Sequence, residues 1–426
     1  MVVSLGGTAL ERVVVVGGGL IGLHSAYYLA RAGVSVTVLE RGHVGDGAAR
    51  FNAGLVITEV TPLPAPGLMR ETLATAFLPG SAVSVSPRMT PAELRFFFRF
   101  ARHCDAARHA RSFAALLDLN KSCFALYDEL AAAGLAAGIR DNGYLVCCLS
   151  EQAAARSWSD YDRMPAAVTS RPGPLLDAAG LREVEPGLSG DLRAGFLRIG
   201  ERWIDASPYV DRLAHAIVEA GGRIIEGAPV TTIDDGRTEV VAHSSAGAFA
   251  ADRVVVAAGI WSEEICRALG VPLGMQAGKG YSFTVGGAEL PQRPLYFSEA
   301  HAVATPLEKR LRIAGTMQFG GAPDHLDRRR IEAMVRAVSP LLPGYDWTAI
   351  DDEWVAPRPM TPDGLPLIGW LSGSRRVLVA SGHNMLGLTL GPPTGRLVAK
   401  LVCDEPLDVD LQPFAPDRFA GRRARR

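Results

Sequence analysis

The strongest apolar run in the chain is Val13–Val16, an unbroken β-branched stretch that predicts a strand buried on both faces. Helical spacing follows up to Gly33, and VSVTVLE (34–40) then predicts a second strand. Further along, GGRIIEGAPVTTID (221–234) reads as a strand, a turn and a short strand, and ADRVVVAAGIWS (251–262) as a strand ending in Ala257, Ala258 and Gly259. Near the end, RVLVASGHN (376–384) predicts a strand running into a glycine turn, and LTLGPPTGRLVAKLV (388–402) a helix after it. Between these stretches, residues 92–134 place apolar side chains at helical spacing, while KGYSFTV (279–285) and RLRIAGTMQF (310–319) read as strands. Phe96, Phe97, Phe98 and Phe100 are expected to pack in a core.

The GxGxxG spacing of Gly17, Gly19 and Gly22 falls between the first strand and its helix. There the first glycine permits a tight turn, the second admits a pyrophosphate to the backbone, and the third lets helix and strand pack closely. Leu20 and Ile21 open the helix, whose free N–H groups and positive dipole end face the phosphates. Glu40 follows Gly22 by 18 residues, where a carboxylate accepts from a ribose diol and disfavours a 2′-phosphate. Arg41 adjoins it.

An NAD enzyme would complete its nucleotide domain within one continuous stretch. Here GAARFNAGLV (47–56), with Asn52, Gly54 and Leu55, supplies small residues that can lie against a flat ring system, and Val230, Ala258, Gly259 and Trp261 form a second approach. A surface assembled from separated segments suits FAD.

Composition narrows the class. The chain has 426 residues, 48% apolar and 21% charged, with a formal net charge of -1. That is ordinary for a soluble globular protein of two domains, and it gives no field for nucleic acid. Six cysteines lack CxxC spacing, so no metal site is expected and reduced thiols in a cytosolic protein are the reading. Residues 1–11 lack the pattern of a secretory leader, and no uncharged apolar run reaches a membrane-spanning length. RFAGRRARR (418–426) reads as a frayed tail, with weak peripheral contact at the inner face of a membrane as the alternative.

With these motifs on view, the chain resembles the FAD-dependent D-amino-acid oxidase superfamily, in its bacterial branch of D-amino-acid dehydrogenase, glycine oxidase and hydroxy-D-proline dehydrogenase. The resemblance runs from Val13 to about Leu401. It rests on GxGxxG with Glu40, on NAGLV, KGYSF and AGT, and most on RPMTPDGLPLIG (358–369) followed by SGHNMLGLTLGPPTG (381–395). It implies an α/β fold: a Rossmann-like FAD-binding domain from 1–87, 200–270 and 358–426. Interleaved with it is an α+β substrate domain from 88–199 and 271–357, built on a mainly antiparallel sheet.

It also implies oxidation of the Cα–N bond of a D-amino acid or a proline-like cyclic imino acid, with hydride transfer to flavin N5 and O2 or a quinone as electron acceptor. With its prolines and glycines RPMTPDGLPLIG reads as a shaped loop that fixes Arg358, which matches the arginine that grips the substrate carboxylate, a task suited to a planar, bidentate guanidinium. Tyr281 is expected over the flavin or near the carboxylate, or else as a half-buried sheet tyrosine. His301 is a candidate catalyst, and Lys279 a charge balance at the flavin or a solvated lysine. His383 and the N–H groups of Leu386, Gly387, Leu388 and Thr389 are expected beside the flavin, the latter stabilising negative charge on its reduced pyrimidine edge.

Met385, Ala49 and Gln318 depart from the branch pattern and favour a less charged chamber, hence a cyclic or apolar substrate. An FAD monooxygenase using NAD(P)H, or a flavin-binding subunit of a larger dehydrogenase, are the alternatives. Oligomeric state stays open.

Overall fold

The computed structural model describes residues 12–68, 83–86, 89–287 and 289–420. Residues 1–11 and 421–426 lie outside them, and the first three residues of the expected frayed tail 418–426 are instead docked, with Arg418 bonded to Asp363 and Ala420 buried. Val13–Val16 is buried along its length because parallel strands flank it on both sides, Ser35–Leu39 on one and Arg253–Val256 on the other. Arg223–Ile225 extends this sheet beyond Ser35–Leu39, and Val377–Ser381 extends it beyond Arg253–Val256. Antiparallel Leu367–Trp370 forms the far edge. The six strands thus come from three separated parts of the sequence.

A mixed, mainly antiparallel sheet of ten strands stands beside the first. Its sequence of neighbours runs from Tyr345–Met360 at one edge through Gln276–Gly287, Leu311–Phe319, Ala302–Pro306 and Leu295–Phe297 to Tyr144–Cys148 and Ala194–Ile199. Leu295–Phe297 pairs with Tyr144–Cys148 in parallel. Val83–Val85 also pairs in parallel, with Met317–Phe319, so this part of the 1–87 segment joins the large sheet.

Two expectations are corrected. Arg358 does not sit in a loop: Arg358–Met360 is the end of the 16-residue strand Tyr345–Met360. Pro357 and Pro359 are tolerated there because the strand is at the sheet edge and needs no donors on its outer side. The helical stretch 92–134 is three helices, Pro91–His103, Ala106–Asn120 and Cys123–Ala132. Thr90 and Glu93 form a capping box at the first, and Asp105 caps the second with bonds to the N–H groups of Ala107 and Arg108. Of the four phenylalanines, Phe96 and Phe100 are buried, Phe97 and Phe100 border the cavity described below, and Phe98 is exposed.

The helix Leu20–Arg31 and the closing helix Gly387–Val402 meet at backbone distance. A Cβ on Gly395 would lie 2.6 Å from the backbone carbon of His24, so only glycine fits. The closing helix carries Pro392 and Pro393 in its interior, which removes the N–H partners of the carbonyls four residues back. Both carbonyls are taken by side chains of Cys123–Ala132. The Tyr127 hydroxyl donates to Leu388 O at 2.8 Å, and Cys123 Sγ donates to Thr389 O at 3.1 Å. The start of this helix is therefore held by donors from outside it.

Candidate active site

One cavity of about 1510 Å3 runs between the two sheets. Ordinary small-molecule pockets hold ~300–1,000 Å3, so this one has room for a dinucleotide and a small substrate together. Of the residues predicted from sequence, all border it but Gly22 and Lys279.

At one end stands the glycine turn. Gly17 has φ +111°, and a Cβ there would lie 2.5 Å from Ala257 O, which brings the turn against the second approach at Ala258 and Gly259. Gly22 lies behind the cavity wall: its Cβ would fall 1.9 Å from Gly17 O, so its role is packing alone. At Gly19 a Cβ would meet nothing within 4 Å, leaving open space at the start of the helix that Leu20 and Ile21 begin. Glu40 accepts from Gly18 N at 2.6 Å and Gly42 N at 2.9 Å. A carboxylate has about four lone-pair positions, which leaves capacity for a diol. Arg41 stacks on Trp261 at 3.6 Å, and Val230 borders the cavity nearby.

In the middle, Asn52 shapes its own loop, donating to Ala49 O at 2.5 Å and accepting from Gly54 N at 2.7 Å. Gly54 (φ +71°) lies against Ile204 O, and Leu55 begins an extended run. The closing helix brings Leu386, Gly387, Leu388 and Thr389 to the cavity with the free N–H groups of its first turn at Gly387–Thr389, whereas the Leu386 N–H expected beside the flavin donates to His383 O at 2.8 Å. His383 bonds Thr394 Oγ1 through Nε2 at 3.0 Å, and its buried Nδ1 lacks a partner among the described residues. Burial pushes its pKa down to about 3, so the ring is neutral. Open space at Gly19, a free helix start and an orphaned ring nitrogen are what a bound dinucleotide-linked flavin would fill and satisfy.

At the far end lies Arg358. Nη1 donates to Thr316 O at 2.8 Å, and among the described residues the guanidinium makes no ion pair. Burial pulls its pKa down to about 10, so it stays protonated near neutrality. Its bed is Gly280, where a Cβ would lie 2.1 Å from Nη2. The segment after it is anchored by Asn384, which accepts from Thr361 N at 2.9 Å and donates to Gly364 O at 2.9 Å. Asp363 holds Arg418 through two bonds of 2.7 and 2.9 Å.

Three expectations change here. Tyr281 borders the cavity but is the sheet tyrosine of the alternative reading, packed in the core with Phe283 and Ile313, with its hydroxyl donating to Gln318 Oε1. Gln318 is thereby tied to Tyr281 and does not border the chamber. Lys279 is buried behind the sheet, with Nζ 3.4 Å from Ala322 O, and is neither solvated nor in the cavity; a register shift between Lys279 and Tyr281 breaks the strand's alternation. His301 does border the cavity, in a left-handed conformation with φ +47°, and its surroundings lower its pKa by desolvation.

Sequence reasoning missed Glu59, Tyr144, Tyr161, Tyr296 and Trp354, all on the cavity wall. Glu59 had a signal. Leu55, Ile57, Glu59, Thr61 and Leu63 border the cavity while Val56 and Val60 are buried behind, the period of an extended chain. The tyrosines come from distant segments that carry no motif. Among the described residues, no group of His, Cys, Asp and Glu could hold a metal ion, and no helix is long and apolar enough to cross a membrane.

The chain is similar to known proteins over nearly its whole length. D-amino acid dehydrogenase of Cereibacter sphaeroides is 32% identical over 97% of both chains, and that of Methylobacterium radiotolerans 31% identical over 96% of this chain and all of its own. The crystal structure of glycine oxidase from Geobacillus kaustophilus covers 96% of this chain and 100% of its own with a TM-score of 0.73 at 25% identity. L-proline dehydrogenase from P. horikoshii superposes at 0.71 with 16% identity over 96% and 98%, a likeness of fold. The DAO family model, FAD dependent oxidoreductase, matches residues 12–401, and the chain belongs to that FAD-dependent family.

Proposed function

We propose that this protein is an FAD-dependent dehydrogenase or oxidase of amino acids, taking a D-amino acid or a cyclic imino acid to the imino acid. The observation that carries this reading is Arg358: a half-buried cation without an ion-pair partner among the described residues, facing a cavity that opens towards a flavin-sized space. A desolvated guanidinium offers two parallel hydrogen bonds to a carboxylate, with little screening by water. In this reading Arg358 fixes the carboxylate, and with it the distance of Cα–H from the acceptor.

The reaction breaks Cα–H, forms Cα=N and releases the amine proton. Bound FAD supplies the two-electron acceptor for the hydride. The six-stranded sheet and its loops would hold it through Gly17, Gly19, Glu40, Arg41, Gly259, Trp261 and the first turn of Gly387–Val402, while the large sheet would cover the substrate. His301, neutral near pH 7 and on the chamber wall, is suited to take the proton of the substrate ammonium. Tyr281 acts from behind the sheet, as packing under the Gly280 bed. The electrons would pass on to O2 or a quinone, and the relatives named D-amino acid dehydrogenase favour an acceptor other than O2.

The test is an anaerobic screen of the flavin-loaded protein across D- and L-amino acids, N-methyl amino acids and proline analogues, read as bleaching of the flavin band. Bleaching by one of these classes is expected. Bleaching by NADPH alone would revive a monooxygenase and sink this reading.

A further inference from the structure

Beyond the carboxylate grip, the chamber contains a charged corner that oxidation at Cα does not use. Arg198 is fully buried, with Nη2 3.2 Å from Glu59 Oε2 and 3.3 Å from Glu201 Oε1. Glu201 is also inaccessible and accepts from Thr58 N at 2.7 Å and Thr58 Oγ1 at 3.1 Å. One cation thus serves two carboxylates, and only Glu59 faces the cavity. Uncompensated charge in such a place is costly, and burial, opposed by Arg198, lifts the Glu59 pKa to about 7. A second cation arriving from the cavity would complete the set.

Three tyrosines share the cavity wall with this carboxylate, which also accepts from Thr61 Oγ1 at 3.1 Å. Tyr144, Tyr161 and Tyr296 border the same cavity, and each hydroxyl lies within electrostatic reach of Glu59. Arg198 covers one face of Tyr161 at 3.8 Å, so the region already accommodates a guanidinium against a ring.

The spacing to Arg358 follows from the sheet. Tyr296, Val303 and Ala314 are successive register partners, and all border the cavity. Thr316, which receives Arg358 Nη1, lies two residues along from Ala314 and two strands from Tyr296. At ~4.8 Å per strand and ~3.4 Å per residue, the backbones of Tyr296 and Thr316 are about 12 Å apart along the sheet. An extended lysine spans roughly 7 Å from carboxyl carbon to ammonium nitrogen on ordinary bond lengths. With a hydrogen bond of about 3 Å at each end the molecule reaches about 13 Å, the same scale as that separation.

We infer that Glu59, with Tyr144, Tyr161 and Tyr296, forms a subsite for a cationic side-chain terminus, so that the preferred substrate is an amino acid ending in an ammonium or guanidinium group. This rests on the amino-acid reading above and revises the expectation of an apolar substrate, because the departures at Met385, Ala49 and Gln318 say nothing of the Glu59 corner.

The experiment compares kcat/KM for lysine and arginine with that for norleucine, which matches the lysine chain without its amine, each as both enantiomers with a dye acceptor. Wild-type protein is expected to favour the cationic substrates by tenfold or more. Glu59→Gln should lower that ratio at least tenfold. Tyr296→Leu, which leaves Arg198 and its carboxylates intact, should lower it about threefold and provides the reading if Glu59→Gln does not fold. A wild-type ratio of one or less overturns the inference, as does a high ratio that neither variant changes. If norleucine and other neutral amino acids reduce the flavin without any preference for cations, the subsite fails while the amino-acid reading stands. If no amino acid reduces it, both fail.

Discussion

The guanidinium of Arg358 lies on Gly280 so closely that a Cβ at position 280 would be 2.1 Å from Nη2 and 2.2 Å from Cζ. The glycine of KGYSF and the arginine of RPMTPDGLPLIG are therefore two halves of one device, on neighbouring strands of the large sheet. The obstructed atoms are the far end of a flexible side chain, so Gly280→Ala displaces the guanidinium and leaves the fold in place. Its expected effect is a fall in kcat/KM for amino acids of about 10–100-fold, with flavin content and melting temperature close to wild type. Arg358→Lys should do as much, since an ammonium cannot make two parallel bonds to a carboxylate. Steady-state kinetics beside a thermal melt separate this from misfolding.

Gly19 and Gly22 should respond oppositely to alanine. At Gly22 the methyl would fall 1.9 Å from Gly17 O, inside the strand–helix contact, so several kcal/mol of stability should be lost. At Gly19 it would meet no protein atom, and the apoprotein should melt as wild type does. The same methyl would project into space reserved for the pyrophosphate, so FAD affinity should drop by tenfold or more. Melting curves of apoprotein, paired with FAD titration by fluorescence, distinguish the two.

The helix Gly387–Val402 tolerates two interior prolines because Tyr127 and Cys123 take the carbonyls those prolines leave. Tyr127→Phe would leave Leu388 O buried without its donor, at a cost of about 1–3 kcal/mol. Urea unfolding should register that loss. The first turn of the helix borders the cavity at Leu388, so the flavin reduction potential should shift as well, which a defect in packing elsewhere would not produce.

His24 is wholly buried, bonding Leu20 O at 2.7 Å and Tyr209 Oη at 2.7 Å. Burial, partly opposed by the Leu20 bond, lowers its pKa to about 4, below the ordinary 6.5. The unfolded state therefore binds the extra proton first as pH falls. Stability contributed by neutral His24 is intact above pH 6.5 and is lost progressively down to about pH 4, at about 3 kcal/mol in all. His383 acts in the same direction, with its lower limit at about pH 3. Unfolding free energies measured between pH 7 and 4.5 should fall with acid in the wild type and fall less steeply in His24→Gln. Equal slopes would contradict the buried neutral imidazole.

Much of the nucleotide half was legible because its signals are local. Val13–Val16, the three glycines and Glu40 lie within one βαβ unit, where spacing dictates geometry. Arg358 was legible as a motif residue, but its strand was not: Pro357 and Pro359 mimic a loop, and only the edge position makes them acceptable. Lys279 and Tyr281 misled because the register shift between them cannot be read from alternation. The Glu59 corner gathers Tyr144, Tyr161, Arg198 and Tyr296 from four places in the chain, and long-range juxtaposition leaves no trace in local pattern.

The central claim is that Arg358 holds a substrate carboxylate for oxidation at Cα. Its most direct test is anaerobic reduction of the flavin-loaded protein by an active amino acid and by the matching amine without a carboxylate. The expected result is rapid bleaching by the amino acid, at least a hundredfold slower bleaching by the amine, and loss of that difference in Arg358→Ala. Equal rates with the amine and the amino acid in the wild type would contradict it.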